Sequence, residues 1–268
     1  MHRDKAFSLL ELSVILIITA ILIAGLTRSK SIIDQAKAKA FLVEIAKLRA
    51  FVSEFQASYN LALPGDINNA TSYFIKCQST NCNGNGNGYI GYADFDNNLE
   101  EAYIFWKHLE FAGLLDQTLS GTINSSAPYA NVDNMYNSKA FDGAIYFPHF
   151  PFEIEAGQFY STHTKNNNIF TLARPSHETI VPSGRVLSPG IAFNIDIKVD
   201  DGKPRAGRIK AYNYFSSKNG YHGTTAGNIA GTECDSLGHS YNNSDKVIAA
   251  AYYEVGLSLK ECILLIDF

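Results

Sequence analysis

From Phe7 to Leu26 the chain is apolar at most positions and carries a single charge, Glu11. A helix of that length, at about 1.5 Å per residue, spans roughly 30 Å, the thickness of a bilayer core. After Leu26 the pattern turns periodic, and no Gly or Pro interrupts it through Phe55. Ile33, Ala36, Ala40, Val43, Ala46 (or Leu48), Phe51 and Phe55 recur at helical spacing and predict the buried face. Lys37, Lys39, Glu44, Lys47 and Arg49 fall on the other side. The segment from Tyr59 to Asp66, with Pro64 and Gly65, breaks the pattern. One helix over 7–58 is predicted, transmembrane over about 7–26 and then amphipathic. Ala20, Ala24 and Gly25 supply small residues for close helix approach.

Beyond residue 59 the elements shorten. Phe105–Leu115 predicts a helix in which Trp106, Leu109, Phe111 and Leu114 form one apolar patch. His108 within it reads as a packing or capping residue rather than a catalyst. From Ile145 onward, alternating segments at Ile191–Ile197, Arg208–Phe215 and Ile263–Ile266, separated by Asn, Gly, Ser and Pro, predict strands. The fold class is therefore α+β: a long N-terminal helix packed on an antiparallel β-sheet head with long loops, the head occupying 59–268.

Composition narrows the function classes. Charged residues are 18% of the chain and the net charge is −4. Lys and Arg do not cluster outside the ends of the apolar run, so no nucleic-acid partner is expected. Arg3 and Lys5 before that run nearly balance Arg28 and Lys30 after it, which leaves orientation open. No Gly-x-Ser-x-Gly elbow, His-Glu-x-x-His helix or phosphate loop is present, and the seven His show no ligand spacing on one helix. The chain reads as a non-enzyme.

A secretory signal peptide fits poorly, because no small-x-small cleavage site closes the apolar run before Arg28. The segment Lys5-Ala6-Phe7-Ser8-Leu9-Leu10-Glu11-Leu12 instead resembles the prepilin peptidase site of type IV pilins and type II secretion pseudopilins. The resemblance implies cleavage of a leader, 1–6, between Ala6 and Phe7, N-methylation of Phe7, and an assembly role for Glu11, the fifth mature residue. Ala6 stands where Gly is usual. A carboxylate inside an apolar span costs roughly 2.5–3.5 kcal/mol unless it finds a partner. In the family that partner is thought to be the N-terminal amine of a neighbouring subunit. Three further stretches look like those of large pilin-like proteins: Leu63-Pro64-Gly65-Asp66, the helix from Trp106 through His108 and Leu109 to Leu114, and the loop Asp196–Gly207.

The resemblance implies a structural subunit of a type IV pilus or type II secretion pseudopilus. The size of the head favours a minor or tip position, with a pilus-borne adhesin as the alternative. Its partners would be other pilin or pseudopilin subunits, the prepilin peptidase and an inner-membrane assembly platform. The chain would cross the bacterial inner membrane once, with the head extracytoplasmic, and then enter the pilus or periplasmic pseudopilus. No cofactor is required, but some pseudopilins hold Ca²⁺ in the head. Asp196, Asp200 and Asp201 offer one oxygen cluster. Asn83, Asn85, Asn87 and Asp94 offer another, at EF-hand-like places one, three, five and twelve, with Asp where that motif has a bidentate Glu. An Asn/Gly-rich turn is the plainer reading of the second. Gly86-x-Gly88-x-x-Gly91 matches a dinucleotide pattern without a preceding strand and is set aside. For an exported head, Cys77, Cys82, Cys234 and Cys262 allow two disulfides in three pairings. Locality favours Cys77 with Cys82 and Cys234 with Cys262. Reduced thiols and a Cys-x4-Cys metal site are the competing readings.

Overall fold

The computed structural model describes residues 9–77, 82–90, 101–119, 135–146, 149–150, 152–155, 158–161, 167–174, 184–204, 206–212, 234, 252–253, 255–256 and 262–267, without the side chains of 25–28, 146, 149–150, 152–155, 158–161, 167 and 212. Helix α1 runs unbroken over Leu9–Ser58, about 75 Å at the usual rise. Its most apolar window has a mean hydropathy of 2.6, and none of that window is buried. The helix is thus long and apolar enough to span a membrane.

The head is α+β. Helix α2 is Glu101–Phe111 and α3 is Pro189–Val199. The strands are β1 (Tyr136–Asn137), β2 (Ala144–Tyr146), β3 (His149–Phe150), β4 (Phe152–Glu155), β5 (Gln158–Ser161), β6 (Asn167–Ala173), β7 (Ile209–Tyr212) and β8 (Ile263–Asp267). They form an antiparallel sheet in the order β1-β2-β6-β8-β7, to which β3 adds by pairing with β6; β4 and β5 form a separate hairpin. Central β8 buries Ile263, Leu264, Leu265 and Ile266 in succession, as a strand covered on both faces must. Trp106 of α2 stacks near Tyr136 and Phe170, with ring centroids at 5.6 and 6.2 Å, and so seats α2 on the sheet.

Two expectations need correction. Ile191–Ile197 is not a strand but the body of α3. Pro189 occupies the first helical turn after Ser188, a start signal that outweighs the accidental alternation of Ile with polar residues. Ala192, Ile195 and Asp196 are buried at helical spacing while Ile197 and Val199 face outward. The buried face of α1 matches the predicted one only toward its end, where Leu48 and Phe55 are buried and Phe51 is half-buried. Ala38, Phe41, Glu44, Ile45, Leu48, Val52 and Phe55 are buried, whereas Ile33 and Val43 are 53% and 63% exposed. The second half of α1 has two apolar stripes, and the head covers the one whose carboxylate it can satisfy. Glu44 accepts hydrogen bonds from Tyr136 Oη (3.1 Å), Ser138 Oγ (2.7 Å) and the Lys139 amide (2.7 Å). Arg49 Nη2 donates to the Asp267 carbonyl, so β8 is tied to the same face.

Candidate functional site

The far end of α1 is joined to the head by a knot built from two of the stretches singled out in the sequence, residues 63–66 and the helix carrying Trp106 and His108. In Leu63-Pro64-Gly65-Asp66 every residue is buried. Gly65 has φ of 86°, and a Cβ there would lie 2.5 Å from the Glu101 carbonyl oxygen, so the turn can reach α2 only as glycine. The Gly65 amide donates to His108 Nδ1 at 2.8 Å, and His108 Nε2 donates to the Cys82 carbonyl at 2.9 Å. The imidazole stacks against Phe55 of α1 and lies near Phe74, with centroids at 6.1 and 5.3 Å. Both ring nitrogens are engaged, and burial lowers the His108 pKa to about 4. His108 is a neutral packing residue with no proton to offer near neutral pH.

The Asn/Gly loop wraps two carboxylates. Asp66 accepts from the amides of Asn87 (3.0 Å) and Gly88 (2.8 Å), and Glu101 accepts from the Asn85 amide (2.8 Å). Burial pushes the Asp66 pKa up, against the pull of the Gly88, Asn87 and Gly86 amides. Gly84 crosses so close to the turn that a Cβ would sit 2.2 Å from the Gly65 carbonyl oxygen. The side chains of the proposed EF-hand-like positions turn to backbone: Asn83 accepts from Thr71 N–H, Asn85 from Asn87 N–H and Asn87 from Tyr89 N–H. Asp94 lies outside the described residues. Cys77 is bonded to Cys82, and Cys234 to Cys262, with Cα separations of 5.7 and 5.1 Å. The first disulfide staples the loop that His108 holds. Asp66, Glu101 and Glu44 were missed as anchors in the sequence; the glycines at 84, 86 and 88, which let amides converge on a carboxylate, were the available signal for the first two.

The third motif forms an acidic turn after α3. Single carboxylate oxygens of Asp196, Asp200 and Asp201 lie within 4.8 Å of one another. Asp196 accepts from Tyr253 Oη (2.8 Å) and the Gly202 amide (3.2 Å). Asp200 accepts from the amides of Arg208 and Ile209, and Asp201 from the Lys203 amide (2.8 Å). Burial raises the Asp196 pKa to about 6, with Asp201 and Asp200 adding to the rise and the Tyr253 and Gly202 hydrogen bonds opposing it. A hard oxygen-binding cation suits this donor set, because each carboxylate accepts only one or two of these bonds and keeps lone pairs free. The bonds to backbone amides also describe a turn that needs no ion.

On α1, Glu11 stands in the first turn of the described helix, while Ala6 and Phe7 lie outside the described residues. From Leu9 to Ile23 large apolar side chains are exposed on every side of the helix. Farther on, Ile33, Ala36, Ala40 and Val43 continue as an exposed stripe about a third of a turn away from the docked face. No family model, no curated protein and no solved structure matches the chain.

Proposed function

We propose that the chain is a structural subunit of a type IV pilin or pseudopilin filament, minor or tip-located, held to its neighbours through α1. The observation that carries this reading is the uncovered helix. Its first half exposes apolar side chains around its whole circumference, which water does not tolerate but lipid or a bundle of like helices does. Its second half keeps one apolar stripe bare after the head has docked on another, and Ala36 and Ala40 there permit close approach of a second helix. In this reading the prepilin peptidase removes 1–6, Phe7 becomes the methylated N-terminus, and Glu11 meets that amine on a neighbouring subunit. The protein starts as a single-pass inner-membrane protein with an extracytoplasmic head, where the two disulfides are at home.

Mass spectrometry of the N-terminus of membrane-extracted protein tests the reading. A mature chain starting at methylated Phe7 supports it. Retention of Met1 in the native host, or cleavage beyond Leu26, overturns it. A structural Ca²⁺ at Asp196, Asp200 and Asp201 belongs to the same proposal, and a rise in melting temperature on adding Ca²⁺ to chelator-treated protein, lost in Asp201→Asn, is its check. The alternative, a pilus-borne adhesin, is favoured by one feature, the groove described next.

A further inference from the structure

At the far end of α1, about 70 Å from the apolar segment's start by helical rise, the chain encloses a groove of about 570 Å³. It lies between the turn after α1, the stretch from Asp66 to Asn69, the glycines 86 and 88, and Asn168 of β6. That volume is in the range of small-molecule sites. Among the described residues no Lys, Arg or His lines it. Its one carboxylate, Asp66, is already held by the Asn87 and Gly88 amides. What the groove presents instead is neutral. Asn60, Asn68 and Asn69 are exposed, and Asn69 spends no side-chain bond on capping the 3-10 turn that follows it.

Two tyrosines complete the wall. Tyr59 is fixed from behind by Phe55 and Phe74, with centroids at 4.4 and 5.1 Å. Tyr73 meets it edge to face at 5.4 Å and is 49% exposed. The rim is a strained turn: Asn60 and Leu61 are consecutive residues in the left-handed region, at φ 53° and 62°. Leu61 is 78% exposed, so no buried contact accounts for holding a bulky residue there. The turn is closed by the Leu61 amide on the Gln56 carbonyl (2.8 Å) and the Ala62 amide on the Tyr59 carbonyl (3.1 Å). Gly88, at φ 85° with nothing within 4 Å of a built Cβ, keeps the opposite side open.

We infer that this groove is a binding site for a neutral saccharide. Side-chain amides both donate and accept, which matches the paired hydroxyls of a sugar ring. An exposed tyrosine offers a flat apolar face for the ring's C–H side, and its hydroxyl can bond at the edge. Among the described lining residues, phosphate, sulfate or an acidic glycan would find no cation, and a cationic ligand would find one carboxylate, buried and already accepting from two backbone amides. The inference stands on the groove itself and does not require that the chain be assembled into a filament.

The test uses the full chain in lipid nanodiscs, since glycoside detergents would compete. Chitotriose, cellotriose and maltotriose are titrated as neutral probes and sialyllactose as the acidic one, with saturation-transfer NMR and calorimetry as readouts. At least one neutral probe binds saturably, and Tyr73→Ala and Asn69→Ala each weaken it about tenfold or more. Asn69 is exposed, so Asn69→Ala keeps the wild-type melting temperature, while Tyr73→Ala also loses the edge contact with Tyr59; the melting temperature of each is measured alongside. Failure of all three neutral probes at millimolar concentration overturns the inference. So does binding that neither substitution affects, or a preference for sialyllactose. None of these results touches the filament reading, which is decided by the N-terminus.

Discussion

The two halves of α1 are one uninterrupted helix with different surroundings within the chain. From Leu9 to Ile23 large apolar side chains are bare on every side. From Ala38 to Phe55 one stripe is buried, and that stripe includes a carboxylate with three hydrogen-bond donors from the head. Helix formation is common to both halves and so distinguishes nothing. What differs is the partner: the second half has a specific one within the chain, and the first has none among the described residues. Apolar burial is non-directional, whereas the Glu44 site is directional, so only the second half carries information about which face is used.

That contrast can be broken most forcefully at Phe41, which is fully buried between α1 and the head. Phe41→Ala should lower head stability by about 3–5 kcal/mol, while Ile17→Ala in the bare half should leave it unchanged. Chemical denaturation followed by head tryptophan fluorescence, in nanodiscs, reads both. Equal effects from the two substitutions would mean that the halves are not distinct.

Next in size is a pH effect at the far end of the docked half, where His108 stacks on Phe55. Its folded pKa is lowered to about 4, so its contribution is present above the unfolded value near 6.5 and is lost as pH falls toward 4. Asp196 has the opposite sign. Its folded pKa is raised to about 6, so its protonation favours the folded state at low pH, and that gain is lost as pH rises through 6. The wild-type profile should therefore be shallow between pH 6.5 and 4. Asp196→Asn should expose the His108 slope, a loss of roughly 2–3 kcal/mol across that window, and should raise stability at pH 7 in chelated buffer. A flat melting profile for this variant would contradict the assignment.

Removing the carboxylate that selects the docked face comes third. Glu44→Ala strands the Lys139 amide and the Tyr136 and Ser138 hydroxyls and should cost about 1–3 kcal/mol. Glu11→Ala should not move head unfolding at all, yet on the filament proposal it should reduce recovery of the protein in sheared filaments. The smallest effect on folding is expected on the outer stripe. Val43→Ser, at a site 63% exposed, should change stability by no more than about 0.5 kcal/mol. Its consequence should appear in co-purification of differently tagged copies, which the substitution weakens if the stripe meets another helix.

The elements most legible from sequence were those decided by local pattern. The continuous apolar run, its periodic continuation and the stop at Tyr59–Asp66 predicted a helix over 7–58, and the described helix is Leu9–Ser58. The strand at Ile263–Ile266 was legible because four consecutive aliphatics have little alternative to a covered strand. Arg208–Phe215 gave β7 over Ile209–Tyr212, with 213–215 outside the described residues. Ile191–Ile197 shows how a short helix imitates period-2 alternation; the Ser188-Pro189 start signal is what marks it as α3.

By itself, then, the sequence determined that a long helix begins in an apolar segment and ends at Tyr59, that a mixed α and β head follows, and that its loops are rich in Asn and Gly. Such features rest on backbone preference and on periodicities of a few residues. Only the tertiary structure decided which stripe of α1 the head covers, that Gly65, His108 and the Cys77–Cys82 loop form one knot, and that the Asn/Gly loop gives its amides to Asp66 and Glu101. Each of these joins residues far apart in the chain, and a buried polar group takes whichever partner the packed head brings within hydrogen-bond distance, which no local pattern specifies.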